Sequence, residues 1–177
     1  MTQSIVAVEE LHESVDLDFI RAAIGSEQDP LKIREFILSV DAAMSASADA
    51  ELAGFVKGVD CIKVEHHFAD SVYLRRGIIP KGMVLVGKIH RTEHLNIVLS
   101  GDISVLDESG MHRYKAGDII KSPAGSKRLG YAHEETVWIN LHATQERDPA
   151  LIEQQVTADS YDQLGLVGVP VRQLKGG

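Results

Sequence analysis

Residues 87–101, GKIHRTEHLNIVLSG, and residues 117–128, GDIIKSPAGSKR, decide the fold. In the first, two glycines bracket a run in which Leu95, Ile97 and Leu99 alternate with His94, Asn96 and Val98. That is the period of a strand with two distinct faces. In the second, a short apolar run ends in the turn residues Pro123, Ala124 and Gly125. Outward from these segments the same grammar holds from Cys61 to Thr144. Runs rich in Val, Ile, Leu and Tyr are punctuated by IPKG, LSGD, DESG, KAGD, SPAGS and HEET. About nine such runs predict an antiparallel sandwich or barrel, and the number suits a jelly roll. Upstream the period changes. LKIREFILSVDAAM places Ile33, Ile37, Val40 and Met44 on one helical face behind Pro30, and VDLDFIRAAIG places Leu17, Ile20 and Ile24 ahead of Gly25. ASADAELAGFVKG is a weaker third helical stretch, and a short acidic helix and a Gly-rich tail end the chain.

The chain has 177 residues, enough for one good core. Its 18 Lys+Arg against 26 Asp+Glu give a net charge of −8, which argues against a non-specific nucleic-acid binder. The single cysteine, Cys61, rules out an intramolecular disulfide and a Cys-rich zinc site, and is expected to be buried. The start, MTQSIVAVEELHESV, is acidic where a secretory signal is basic, and no apolar run approaches the roughly 20 residues that span a bilayer. The expectation is a soluble, cytoplasmic protein without membrane or nucleic-acid partners. No G-x-S-x-G elbow, phosphate-binding G-x4-G-K-[ST] or H-E-x-x-H is present.

The two opening segments resemble the paired motifs of the cupin superfamily. Gly117, five residues, Pro123-Ala124-Gly125, two residues and Arg128 match the second motif. Counting back from Gly101 puts His94 at the first motif's glutamate position, His90 at its second histidine and Lys88 at its first histidine. The resemblance implies a mainly β protein, an antiparallel jelly-roll (cupin-like) barrel with an N-terminal helical segment. The expected divisions are 1–57 (helical), 58–146 (barrel) and 147–177 (short helix and tail). It also implies that these four positions face a common lumen, where the family holds a divalent metal. Here the spacing survives and the chemistry differs, because a guanidinium cannot ligate metal and two cations would repel one. The wider stretch, residues 62–146, is similar to small cupin-like proteins encoded by tailed bacteriophages and prophages. This suggests host cytoplasm or virion as the location and other virion proteins as further partners.

On that alignment Val84, Val86, Lys88 and His90 share the inward face. His142, on the last strand beside that of His94, completes a candidate metal set of His90, His94 and His142 for one divalent ion (Fe, Mn, Zn or Ni). The same histidines also suit hydrogen-bonded polar positions inside a barrel. Lys88 and Arg128 are candidates to hold a small anionic molecule, with Tyr73 and Asn140 as polar neighbours; the plainer reading is surface charge and core packing. Lys127 is expected at the surface, and so are His12, His112 and His133. At most one of His66 and His67 can face inward, and both are expected to be ordinary edge residues.

Three functions follow: a metal-dependent enzyme (dioxygenase, isomerase or lyase), a module that binds an anion or metal without turnover, and a virion or structural component using the barrel as a scaffold whose ends engage neighbours. Lumen binding leads, and catalytic residues are unassigned. Leu85, Ile89, Leu95, Ile97 and Leu99 are too apolar to stay bare, so cover by the helices or a homo-oligomer is expected.

Overall fold

The computed structural model describes residues 16–46 and 62–171. The third helical stretch expected after Ala46, the buried thiol of Cys61 and the solvated His12 fall outside them. Two helices lead. α1 (Leu17–Ile24) is capped by Asp16, whose carboxylate accepts from Phe19 N at 2.9 Å, and ends at Gly25 with φ 52°. α2 (Pro30–Ala46) begins where Asp29 Oδ1 accepts from Leu31 N at 3.0 Å. The stripe Ile33, Ile37, Val40 and Met44 is buried as its spacing predicts, joined by Phe36. It packs on Val84, Val86, Leu106 and Leu129.

The remainder is mainly antiparallel β. A five-stranded sheet has the order β1-β2-β10-β5-β8: Lys63–Ala69, Val72–Ile79, Thr136–Ala143, His94–Ser100 and Ile119–Ser122. A four-stranded sheet has the order β3-β9-β6-β7: Val84–Val86, Leu129–Ala132, Asp102–Asp107 and Gly110–Lys115. Every pair is antiparallel. The sheets share an apolar core in which Ile79, Val98 and Ile120 of the first meet Ile103, Val105 and Ala132 of the second. Gly101, between β5 and β6, has φ 92°, and a Cβ there would lie 2.4 Å from Glu135 O, so the turn admits only glycine.

Two expectations are corrected. The inward run Val84–Val86–Lys88–His90 is not one strand, because β3 stops at Val86 and β4 (Ile89–His90) begins after a break at Gly87 and Lys88. Across that break Val84 goes under α2, Leu85 lines the cavity described below, and Ile89 is covered by the C-terminal segment. The tail also folds back. After α3 (Pro149–Val156), β11 (Thr157–Ala158) pairs with β4, and Ala158, Tyr161 and Leu166 bury Ile89. Arg34 of α2 secures this return. Its Nε donates to Glu108 Oε1 at 2.6 Å, its Nη1 and Nη2 donate to Leu166 O and Val169 O at 2.8 Å, and its guanidinium lies 3.8 Å from the Tyr161 ring centroid.

At the start of β6, Arg113 donates to both oxygens of Asp102, at 2.7 and 2.8 Å. This pairing holds the Asp102 carboxyl below its ordinary value of 3.8. A depressed folded-state pKa stabilises the fold above the unfolded value, and that stabilisation is lost as pH falls through the folded one. Thermal melts from about pH 5 downward should therefore show a smaller acid-induced drop in Tm for Asp102→Asn than for wild type. Parallel pH profiles would remove Asp102 as an acid-sensitive tie.

Candidate metal centre and its cavity

The inner face of the five-stranded sheet carries polar groups where a core would be apolar. Period two puts Tyr73, Arg75, Gly77 and Ile79 of β2 on the same side as Trp138, Asn140 and His142 of β10. Register sets Leu141 against Leu95 and His94 against Ser122. His90 comes from β4, which is held from both sides: its N–H donates to Ser126 O at 3.0 Å, its carbonyl accepts from Gly125 N at 2.7 Å, and Thr157 of β11 pairs with it.

His90, His94 and His142 converge as the sequence predicts. One donor atom from each lies within 4.8 Å of the others, and ring centroids are 3.9 Å apart for His90–His94 and 4.8 Å for His94–His142. Burial pushes all three down, with neighbouring imidazoles and guanidiniums reinforcing it: His90 to about 2, His142 to about 4, and His94 below its ordinary value. They are neutral at neutral pH, with lone pairs available. His90 Nδ1, His94 Nε2 and His142 Nδ1 are buried and have no hydrogen-bond partner among the described residues. Such orphaned acceptors or donors are costly unless something meets them. His94 Nδ1 faces Thr92 O at 3.2 Å, the second-nitrogen anchor common to metal-bound imidazoles. A single ion with bonds of roughly 2.1 Å sets its donors about 3 to 3.5 Å apart, closer than the 4.8 Å span here, so binding would require the imidazoles to move inward. The donor set of three neutral imidazoles fits a divalent ion, and His90 and His142 also line the adjoining cavity.

That cavity has a volume of about 530 Å³. Ile62, Ile79, Leu85, Ile103, Val105 and Trp138 form its apolar wall. Asn96 accepts from Trp138 Nε1 at 3.2 Å and from Asn140 Nδ2 at 2.6 Å, which fixes the polar floor. Tyr73 lines the space but spends its hydroxyl on His66 Nδ1 at 2.7 Å, and burial raises its pKa. His66 borders the cavity from the edge strand β1 but is exposed, as an edge residue is expected to be, and His67 is exposed beside Glu65.

The cations divide. Arg128 is mostly buried in the cavity wall, its Nε without a hydrogen bond among the described residues and 3.8 Å from Asp107 Oδ2. Lys88 is half-exposed at the rim and forms an ion pair with Glu153 of α3, so it is not the inward partner expected for Arg128. The break at Gly87 turned it outward. Lys127 is buried rather than at the surface, donating to Gly87 O at 2.8 Å and pairing with Asp41 of α2 at 2.8 Å. The residue that sequence reasoning missed is Arg75. Its Nη1 reaches Asn140 Oδ1 only at 3.4 Å, and its buried Nη2 has no hydrogen-bond partner among the described residues. A signal existed, since Tyr73 and Arg75 are two apart on one strand and share a face.

No family model matches the chain, and no curated protein matches it. Among solved structures it is similar to an HTH_3 family transcriptional regulator from Vibrio cholerae (16% identity, 48% of this chain and 52% of that one, TM-score 0.41). It is also similar to KdgF from Halomonas sp. (18%, 49% and 83%, 0.43) and to an RmlC-like cupin from Shewanella frigidimarina (18%, 48% and 78%, 0.42). The chain spans about half the length of the Vibrio regulator. Cupin-domain proteins are among its structural neighbours. No helix among the described residues is long and apolar enough to cross a membrane.

Proposed function

We propose that the chain is a cupin-type protein, phage-encoded as its resemblance suggests, that binds one divalent metal ion through His90, His94 and His142 and admits a small anion to the adjoining cavity beside Arg128. The observation that carries this reading is the convergence of three imidazoles, two buried and His90 partly so, each with a buried ring nitrogen that has no hydrogen-bond partner among the described residues. Three neutral nitrogens favour a first-row transition ion over the harder magnesium or calcium. When bound, the ion would supply Lewis acidity at its open position. The chain's own contribution is to hold the imidazoles neutral, keep the site in an apolar recess and place a guanidinium nearby. The proposal is for binding, and turnover is left unassigned. Elemental analysis of protein purified without a histidine tag should find about one equivalent of Fe, Mn, Zn or Ni. Metal-free protein whose melting temperature is also unmoved by all four ions would sink the proposal.

A second reading, as a structural scaffold in the cytoplasm or virion, has one observation in its favour. The outer face of the five-stranded sheet carries Leu95, Leu99 and Ile119 at 45%, 54% and 68% exposure, beside Leu74, Ile97 and Leu141. At its borders Glu65 pairs with Arg76 and Lys121 with Glu93, so no unmatched rim charge asks for a polar partner. A second copy of the chain suits this face. Light scattering at micromolar concentration should give a dimer for wild type and a monomer for Leu99→Glu. A monomeric wild type would remove the oligomer.

A further inference from the structure

We infer that the cavity is built for a small dicarboxylic acid, one carboxylate held by Arg75 and the other by Arg128. The inference deepens the metal-and-anion reading and rests on it only for placing the acid beside the histidines. Arg75 projects from β2 of the five-stranded sheet. Arg128 immediately precedes β9 of the four-stranded sheet, on the same side as cavity-lining Gly130. The two guanidiniums thus enter one space from opposite walls. Their surroundings differ accordingly: Arg128 lies toward Asp107 and Tyr114, and Arg75 toward Tyr73 and Glu153. His90 lines the same cavity, and both guanidiniums lower its pKa.

The charges in this space do not balance. Glu153 is the one carboxylate lining it among the described residues, and Lys88 already engages that group. Arg75 forms no ion pair among the described residues, and Arg128 has only the long approach to Asp107. A guanidinium stays charged in a protein, so each must meet an external oxygen when the cavity is filled. Two anchors on opposite walls call for two separated acid groups. Carboxylate is favoured over phosphate because the one helix N-terminus at the cavity, that of α3, is already capped by the Asp148 carboxylate. The apolar wall from Ile79 through Val105 to Trp138 suits a hydrocarbon or aromatic spacer between the acids.

The test is calorimetric titration of the full 177-residue chain with succinate, glutarate and phthalate, each against its one-headed counterpart (butyrate, valerate and benzoate), with metal content measured on the same samples. At least one dicarboxylate should bind roughly ten-fold or more tightly than its counterpart. Arg75→Met and Arg128→Met should each erase that preference while leaving metal content unchanged. Removing a buried cation without a close ion pair should not unfold the protein, and Arg75→Gln serves as the second variant. A wild type without the preference, or an Arg75→Met and an Arg75→Gln that both keep it, overturns the inference. The titrations are repeated after treatment with 1,10-phenanthroline, a neutral chelator that does not compete for the arginines. A dicarboxylate preference lost in Arg75→Met, in samples that never take up metal, upholds this inference while defeating the metal reading.

Discussion

His94→Ala should lower affinity for a divalent ion by at least about a hundred-fold while leaving the metal-free protein as stable as wild type, or more so. The affinity loss follows from the donor set. Three imidazoles make a credible site, and two make half of one. Changing even the outer partners of a metal ligand typically costs ten- to a hundred-fold, so loss of a donor should cost more. The stability effect has the opposite sign because, without metal, His94 Nε2 is a buried polar atom with no hydrogen-bond partner among the described residues. Removing such an atom relieves a penalty of about 1–3 kcal/mol, set against the loss of the Nδ1 contact with Thr92 O and of packing. Competition titration with a chromogenic chelator reads the first effect, and denaturant unfolding of chelated protein reads the second. A merely structural histidine would show the reverse: lower stability and no change in metal affinity.

Arg34→Met should cost about 3–5 kcal/mol of folding stability. Arg34 and Glu108 are both buried, and Glu108 Oε2 also accepts from Val171 N at 2.8 Å. Methionine would fill much of the volume but remove the donor to Glu108 Oε1 and those to the carbonyls of Leu166 and Val169. Urea denaturation should show a lower midpoint with little change in slope. If the variant melts like wild type, the return of the tail does not depend on this ion pair.

Much of this arrangement could be read from the residue pattern. Helix stripes and caps are local, so Asp16, Gly25, Pro30 and the face of Ile33, Ile37, Val40 and Met44 declared themselves. His90, His94 and His142 were legible because motif spacing and strand alternation agree at each. Lys88 was misplaced because alternation was extended through Gly87, where the strand breaks. Lys127 was misplaced because its partner Asp41 belongs to a helix 86 positions earlier, a distance that no local pattern spans. Arg75 was hidden beside Arg76. One of two adjacent arginines on a strand must face inward, and only the position of Tyr73 says which.

The pairing of β2 with β10 joins residues 72–79 to residues 136–143. By contrast, β1–β2 and β6–β7 are hairpins closed by two-residue turns, which form on a scale of about 1–10 μs. β10 must wait for the long intervening loop to close, and His142 arrives with it. On this topology the three imidazoles are expected to meet late, after the hairpins have formed. A divalent ion would then have no complete site on the climbing side of the barrier. It would leave the refolding rate nearly unchanged and act as a brake on unfolding.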